Sequence, residues 1–165
     1  MALTRDIAAT YRSPRRVIRR LLAMGPREDR VLMYLFAACA LIFVAQWPRL
    51  RRDAYLDDSI PFDALIGGAL LGWFFIAPLF LYALASLSRL VARVLGGQGT
   101  GYTARLALFW SLLAAMPLWL LNGLVAGVMG PGIQMTLSGA LALGVFLIFW
   151  GLCLLETETK GPKCP

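Results

Sequence analysis

The feature that most restricts this chain is a long run without charge. From Leu106 to Leu155, fifty residues, there is no Asp, Glu, Lys or Arg. Only Gly130-Pro131-Gly132, a tight-turn signature, interrupts its apolar character. The segments on either side, 106–129 and 133–155, are each long enough to cross a hydrocarbon core of about 30 Å as a helix. Two further apolar runs precede them. Residues 31–47 end at Trp47, and an indole favours the membrane interface. Residues 62–87 exceed the length a straight span needs, so this segment is expected to tilt, kink at Pro78 or emerge from the bilayer. At 59% hydrophobic residues the chain is well above the roughly 45–50% of soluble domains. The expected fold is an all-α integral membrane protein with four transmembrane helices and an N-terminal basic amphipathic interfacial helix.

The segments between the runs are polar. Residues 1–30 form an arm with no cleavable signal pattern, because about thirty residues precede the first apolar run. Leu3, Ile7 and Tyr11 recur with the spacing of one helix face. Ser13-Pro14 then starts a second helix, which Gly25-Pro26 ends. In it Val17, Ile18, Leu21 and Leu22 share one face, and Arg15, Arg16, Arg19 and Arg20 the other. Such a helix suits the headgroup layer, and these eight residues are the expected membrane-surface contacts, with anionic lipids as partners. The alternatives are a topogenic anchor that only fixes orientation, and a helix that covers the cytoplasmic end of the bundle with its apolar face on protein. Residues 48–60 read as a solvated connector carrying Arg49, Arg51, Arg52, Asp53, Asp57 and Asp58. GGQGTGY, from Gly96 to Tyr102, cannot hold a helix and reads as an elbow between two helical hairpins. Residues 156–165 read as a short, mobile cytoplasmic tail.

Charge orients these segments. With the N-terminus in the cytoplasm, four spans put thirteen Lys and Arg residues inside and three outside. Both termini are therefore expected to be cytoplasmic. The net charge of +7 follows from that asymmetry and does not call for nucleic acid.

The inventory for chemistry is short. The chain contains no histidine, which removes the imidazole general base and most haem, zinc and copper ligand sets. Cys39, Cys153 and Cys164 form no CxxC and read as small apolar fillers plus a tail thiol. The connector aspartates lack the spacing and the glutamate of an EF-hand. The elbow lacks the Lys-Ser/Thr of a phosphate loop. Asp63, at the start of a span, reads as a cap that meets free N–H groups and the helix dipole. Asn122 reads as an interhelical hydrogen-bond partner, and Trp73, Trp110, Trp119 and Trp150 as packing or interface residues. No catalytic, cofactor or metal residue is expected. Gly68 and Gly72, and again Gly123 and Gly127, are four apart, the spacing that lets another helix approach closely. These four glycines are the expected helix-packing or partner interface, and a homo-oligomer is open to the same faces.

The arm TYRSPRRVIRRLLAMG, the elbow GGQGTGY and the span with a central proline occur together here. In this the chain resembles the bacterial branch of the Yip family, polytopic membrane proteins named in eukaryotes for interacting with Ypt/Rab GTPases. The resemblance covers most of the chain and rests on Ser13-Pro14, on Gly96-Gly97 with Tyr102, and on Pro117. It implies a helical bundle with a cytoplasmic N-terminal part and a role in membrane organisation, with no catalytic residues to carry over. The family is usually described with five spans, whereas four are counted here, and a bacterium has no vesicle pathway to which the eukaryotic role would transfer. The expected function is a non-enzymatic scaffold or accessory subunit that binds other integral membrane proteins in a bacterial inner membrane. The rival is a small transporter or channel with Asp63 at its mouth.

Overall fold

A computed structural model of the chain describes residues 3–57 and 60–159. Asp58 of the connector, the thiol Cys164 and the rest of the tail after Thr159 lie outside the described residues. Those described are helical apart from short turns. The helices are α1 (Leu3–Arg12), α2 (Pro14–Ala23), α3 (Glu28–Leu56), α4 (Phe62–Leu71), α5 (Ala77–Val94), α6 (Gly101–Ala114), α7 (Met116–Val128) and α8 (Ile133–Thr159). Three uninterrupted helical stretches are long and apolar enough to cross a membrane, and the count is four if the bent pair α6–α7 is one span rather than a re-entrant loop. The chain is an all-α, multi-pass membrane protein.

Prolines set the breaks. Pro117, second in α7, has no N–H to continue the helix from α6, and α6 and α7 meet at 46°. Pro78 is absorbed differently. A π-helical segment, Gly72–Ile76, joins α4 to α5, and the Ala77 N–H reaches back five residues to the Gly72 carbonyl. The extra residue in that turn makes room for the proline, and Phe62–Val94 stays one continuous span.

Pro48 is the exception. Residues 48–56, read from their charge as a solvated loop, continue α3 as helix to Leu56. The cause is tertiary. Pro48 packs onto Gly127 of α7, and Arg52 donates to the carbonyls of Gly127 and Val128 at 3.4 and 3.2 Å. Met129 and Gly130 N–H close the end of α7 on Val125 and Ala126, and the helix extension satisfies the next two carbonyls.

The bundle is organised around α6. Eleven of its fourteen residues are buried, and α1, α3, α5 and α8 all pack on it. Trp110, Phe109, Leu108 and Leu113 fill the centre with Leu35, Ala38 and Cys39 of α3. Trp110 stacks edge-on against Tyr34 at 5.1 Å, and Phe109 against Tyr82 at 5.2 Å.

The arm belongs to this bundle. Thr10 of α1 is fully buried and accepts a hydrogen bond from Trp110 Nε1 at 3.2 Å. In α2, Val17, Ile18 and Leu21 are buried in the core, with α8 alongside, and Leu22 is partly buried. Arg19 pairs with Glu156 of α8, and Arg20 with Asp6 of α1. The reading of Val17, Ile18 and Leu21 as lipid contacts is therefore corrected: protein covers that face. The physical reason is Glu156, whose buried carboxylate needs a cation that α2 delivers together with its apolar stripe. Arg15 and Arg16 remain exposed.

Ile18→Asp tests this docking. Burying a carboxylate there costs several kcal/mol, so α2 should detach. Limited trypsin should then cleave at the arginines of α2 at least about tenfold faster than in the parent protein, the population change expected from as little as about 1.4 kcal/mol. An unchanged cleavage rate would show that protein does not hold this face.

Candidate functional site

Five elements converge on the glycine elbow. α5 ends in a Schellman turn, in which Gly96 takes φ +85°, its N–H bonds Arg93 O at 3.1 Å, and Gly97 N–H bonds Ala92 O at 2.8 Å. α6 then starts at a reciprocal cap between Thr100 and Thr103. Tyr102 donates its hydroxyl to Gly25 O at 3.3 Å, and Arg105 pairs with Glu28. The arm hinge and the start of α3 are thereby tied to the start of α6.

The last turns of α8 close the elbow. Glu158 Oε2 accepts from Gly99 N–H at 2.8 Å and from Arg89 at 3.2 Å. Glu158 O accepts from Gln98 N–H at 3.3 Å. A Cβ on Gly97 would meet this carboxylate and the Ala92 carbonyl, and one on Gly99 would displace the carboxylate from the Gly99 N–H. Thr157 is fully buried and Glu156 nearly so. The segment read as a mobile tail is thus, as far as Thr159, the end of α8, with Glu156 and Thr157 buried. Nearby, Glu156 raises the Arg19 pKa, first through their hydrogen bond.

A groove of about 690 Å³ runs from this latch between α5 and α8. Leu84, Leu87 and Val91 line one wall, Trp150 and Leu154 the other, and Glu158 with Gln98 the end. Its walls are apolar and its end carries one carboxylate. Among the described residues there is no group of three or more His, Cys, Asp or Glu that could hold a metal.

Of the residues singled out from sequence, the elbow glycines, Tyr102 and Trp150 belong to this region and the others fall elsewhere. Gly123 packs directly on the Ala45 backbone and Gly127 on Pro48, which makes both α7–α3 contacts. Gly68 and Gly72 have no protein atom where a Cβ would point. The structure does not bring the two glycine pairs together. Asp63 lies exposed in the first turn of α4. Asn122 accepts from Ser138 of α8 at 2.8 Å. Sequence reasoning missed the contacts of Glu156, Glu158 and Arg89, and read Trp150 as a packing or interface residue. One signal for the glutamates was available: an acidic pair directly after a span, in a chain whose arm carries eight arginines.

Compared with known proteins, the chain matches no family model, no curated protein and no solved structure.

Proposed function

We propose that this chain is a non-enzymatic scaffold or accessory subunit of a bacterial inner membrane, Yip-like in organisation, that binds another integral membrane protein through the outer face of its second span. One observation carries this reading. The span Phe62–Val94 has a mean hydropathy of 2.1, yet only 6% of its most apolar window is buried, against 39% for α3. Gly68 and Gly72 lie on that span with open space above them. Without a hydrophobic drive between helices in lipid, small residues matter because they let a partner backbone approach. The charge count supports cytoplasmic termini, and the uncovered Arg15 and Arg16 support contact with anionic headgroups.

A photo-crosslinking side chain at Leu79, which is 76% exposed, tests the reading in cells. The expected result is a discrete adduct with a second membrane protein, reduced about tenfold by Gly68→Leu, the size of one lost close contact of about 1.4 kcal/mol. A self-adduct would make the partner a second copy. Adducts with lipid alone would remove the scaffold reading. A solute flux in proteoliposomes abolished by Asp63→Asn would replace it with the transporter reading.

A further inference from the structure

A pocket of about 720 Å³ opens at the end of the bundle away from the elbow. The last turns of α3, the start of α4 and the end of α7 enclose it. Arg51 and Arg52 line it, and among the described residues no carboxylate does. A different contact fixes each guanidinium. Arg51 lies over the Phe62 ring, 4.8 Å from its centroid. Stacking occupies the face of a guanidinium and leaves its in-plane N–H groups free to donate. Arg51 is exposed, and among the described residues it makes no hydrogen bond or ion pair. Arg52 donates through Nη1 to the α7 carbonyls, and its Nε is buried, so its part is a positive charge at a fixed place. Arg49, one turn away from both, is paired with Asp53 at 3.5 Å.

Two positive charges beside a set of unspent, coplanar donors complement an oxyanion. Arginine meets phosphate through two parallel N–H bonds, and charge-assisted bonds are the strong ones. The surroundings identify the source of the phosphate. Apolar helical stretches end here, which puts the pocket at the level of lipid headgroups. Tyr55, Ile60 and Val128 are 86%, 48% and 69% exposed around the same pocket. A free anion would leave that apolar rim in water, whereas the glycerol and upper acyl carbons of a phospholipid would cover it. With the termini in the cytoplasm, these arginines lie on the face from which the positive-inside rule disfavours them. Asp53 offsets one of the three arginines there, and Arg51 and Arg52 are left for an anion from outside the chain.

We propose that this pocket binds the phosphate of an anionic glycerophospholipid. Arg51 donates two parallel hydrogen bonds to it, Arg52 adds the second positive charge, and the apolar part of the lipid rests on Ile60 and Val128. A net anionic lipid is favoured because a zwitterionic headgroup brings its own ammonium to the two guanidiniums. The site goes beyond the scaffold reading and uses neither Gly68 nor Gly72. Which leaflet supplies the lipid rests on the orientation proposed above, and binding itself does not.

Native mass spectrometry of the full-length, delipidated protein tests the assignment. The probes are phosphatidylglycerol, phosphatidylethanolamine with identical chains, and inorganic phosphate. The expected result is one retained phosphatidylglycerol, held about tenfold more tightly than phosphatidylethanolamine. Arg51→Gln should remove that preference. Phe62→Leu keeps both charges but removes the stacking platform, and should weaken retention about threefold. Arg93→Gln makes the same change of charge at the far end of the span, where Arg93 is exposed, and should leave the preference intact. A preference unchanged in Arg51→Gln would overturn the proposal. So would an equal loss in Arg51→Gln and Arg93→Gln, which marks a general charge effect. Inorganic phosphate that displaces the lipid from the parent protein would overturn the lipid source and assign the pocket to a free anion. Absence of any retained lipid, together with an adduct from a photo-crosslinking side chain at Tyr55 to another polypeptide, would also overturn it and assign the pocket to a protein partner.

Discussion

Gly123→Leu should abolish the folded bundle. A Cβ at this position would run into the carbonyl and Cα of Ala45, and backbone cannot swing aside as a side chain tip can. Gly127 meets Pro48 in the same way one turn later. These contacts lie in the most extensive helix–helix interface of the fold, between α3 and α7. One added methyl group in a packed interface costs about 1–3 kcal/mol, and a leucine adds three more carbons. Gly123→Ala should therefore lower the melting midpoint in detergent, and Gly123→Leu should yield no monodisperse protein. Gly68→Leu is the matched control. It points into open space and should change the stability of the isolated protein by less than about 0.5 kcal/mol. A stable Gly123→Leu protein would mean that α3 and α7 do not approach at this point.

Trp110→Ala should have the next largest effect. Its indole is fully buried on the central helix, stacks on Tyr34 and donates to Thr10. Truncating a buried aromatic to alanine typically costs about 3–5 kcal/mol, through lost contacts and the cavity left behind. In a chain of this size that lowers the melting midpoint by on the order of 10 °C. The loss should also reach the arm, because α1 is tied to α6 through this hydrogen bond. Amide exchange in α1 should rise sharply in Trp110→Ala. Thr10→Val separates the two contributions. It keeps the packing and strands the indole N–H, for a smaller cost of about 1–3 kcal/mol. Unchanged exchange in α1 in both variants would show that the arm is held by α2 alone.

Individual residues show how far sequence reasoning reached. Asn122 was legible as an interhelical partner because an amide among leucines must find a bond, and Ser138 provides it. Pro14 and Gly25-Pro26 marked the bounds of α2 because a proline at the first helical position and a breaker act locally, although Ser13 makes no side-chain cap bond. Pro48 misled because its effect depended on a partner far along the chain: Gly127 and the α7 carbonyls keep α3 helical to Leu56. Glu158 was read as part of a tail because nothing near it in sequence marks the contact. Its partners Arg89 and Gly99 are 69 and 59 residues away.

The sequence by itself determined the class of the molecule: all helical, multi-pass, with its spans and turns at recognisable places. Length, hydropathy, capping residues and charge asymmetry are properties of single segments, and a bilayer reads each segment separately. Only the tertiary structure decided which span is central, which glycines face protein and where the basic helix rests. In water, apolar periodicity separates inside from outside. In lipid both sides of a helix are apolar, so α6 at the centre and Phe62–Val94 at the edge look alike in hydropathy. What distinguishes them is shape and the pairing of a few polar atoms: Gly123 against Ala45, Thr10 against Trp110, and Arg19 against Glu156. Those pairings join residues that only the folded chain brings together.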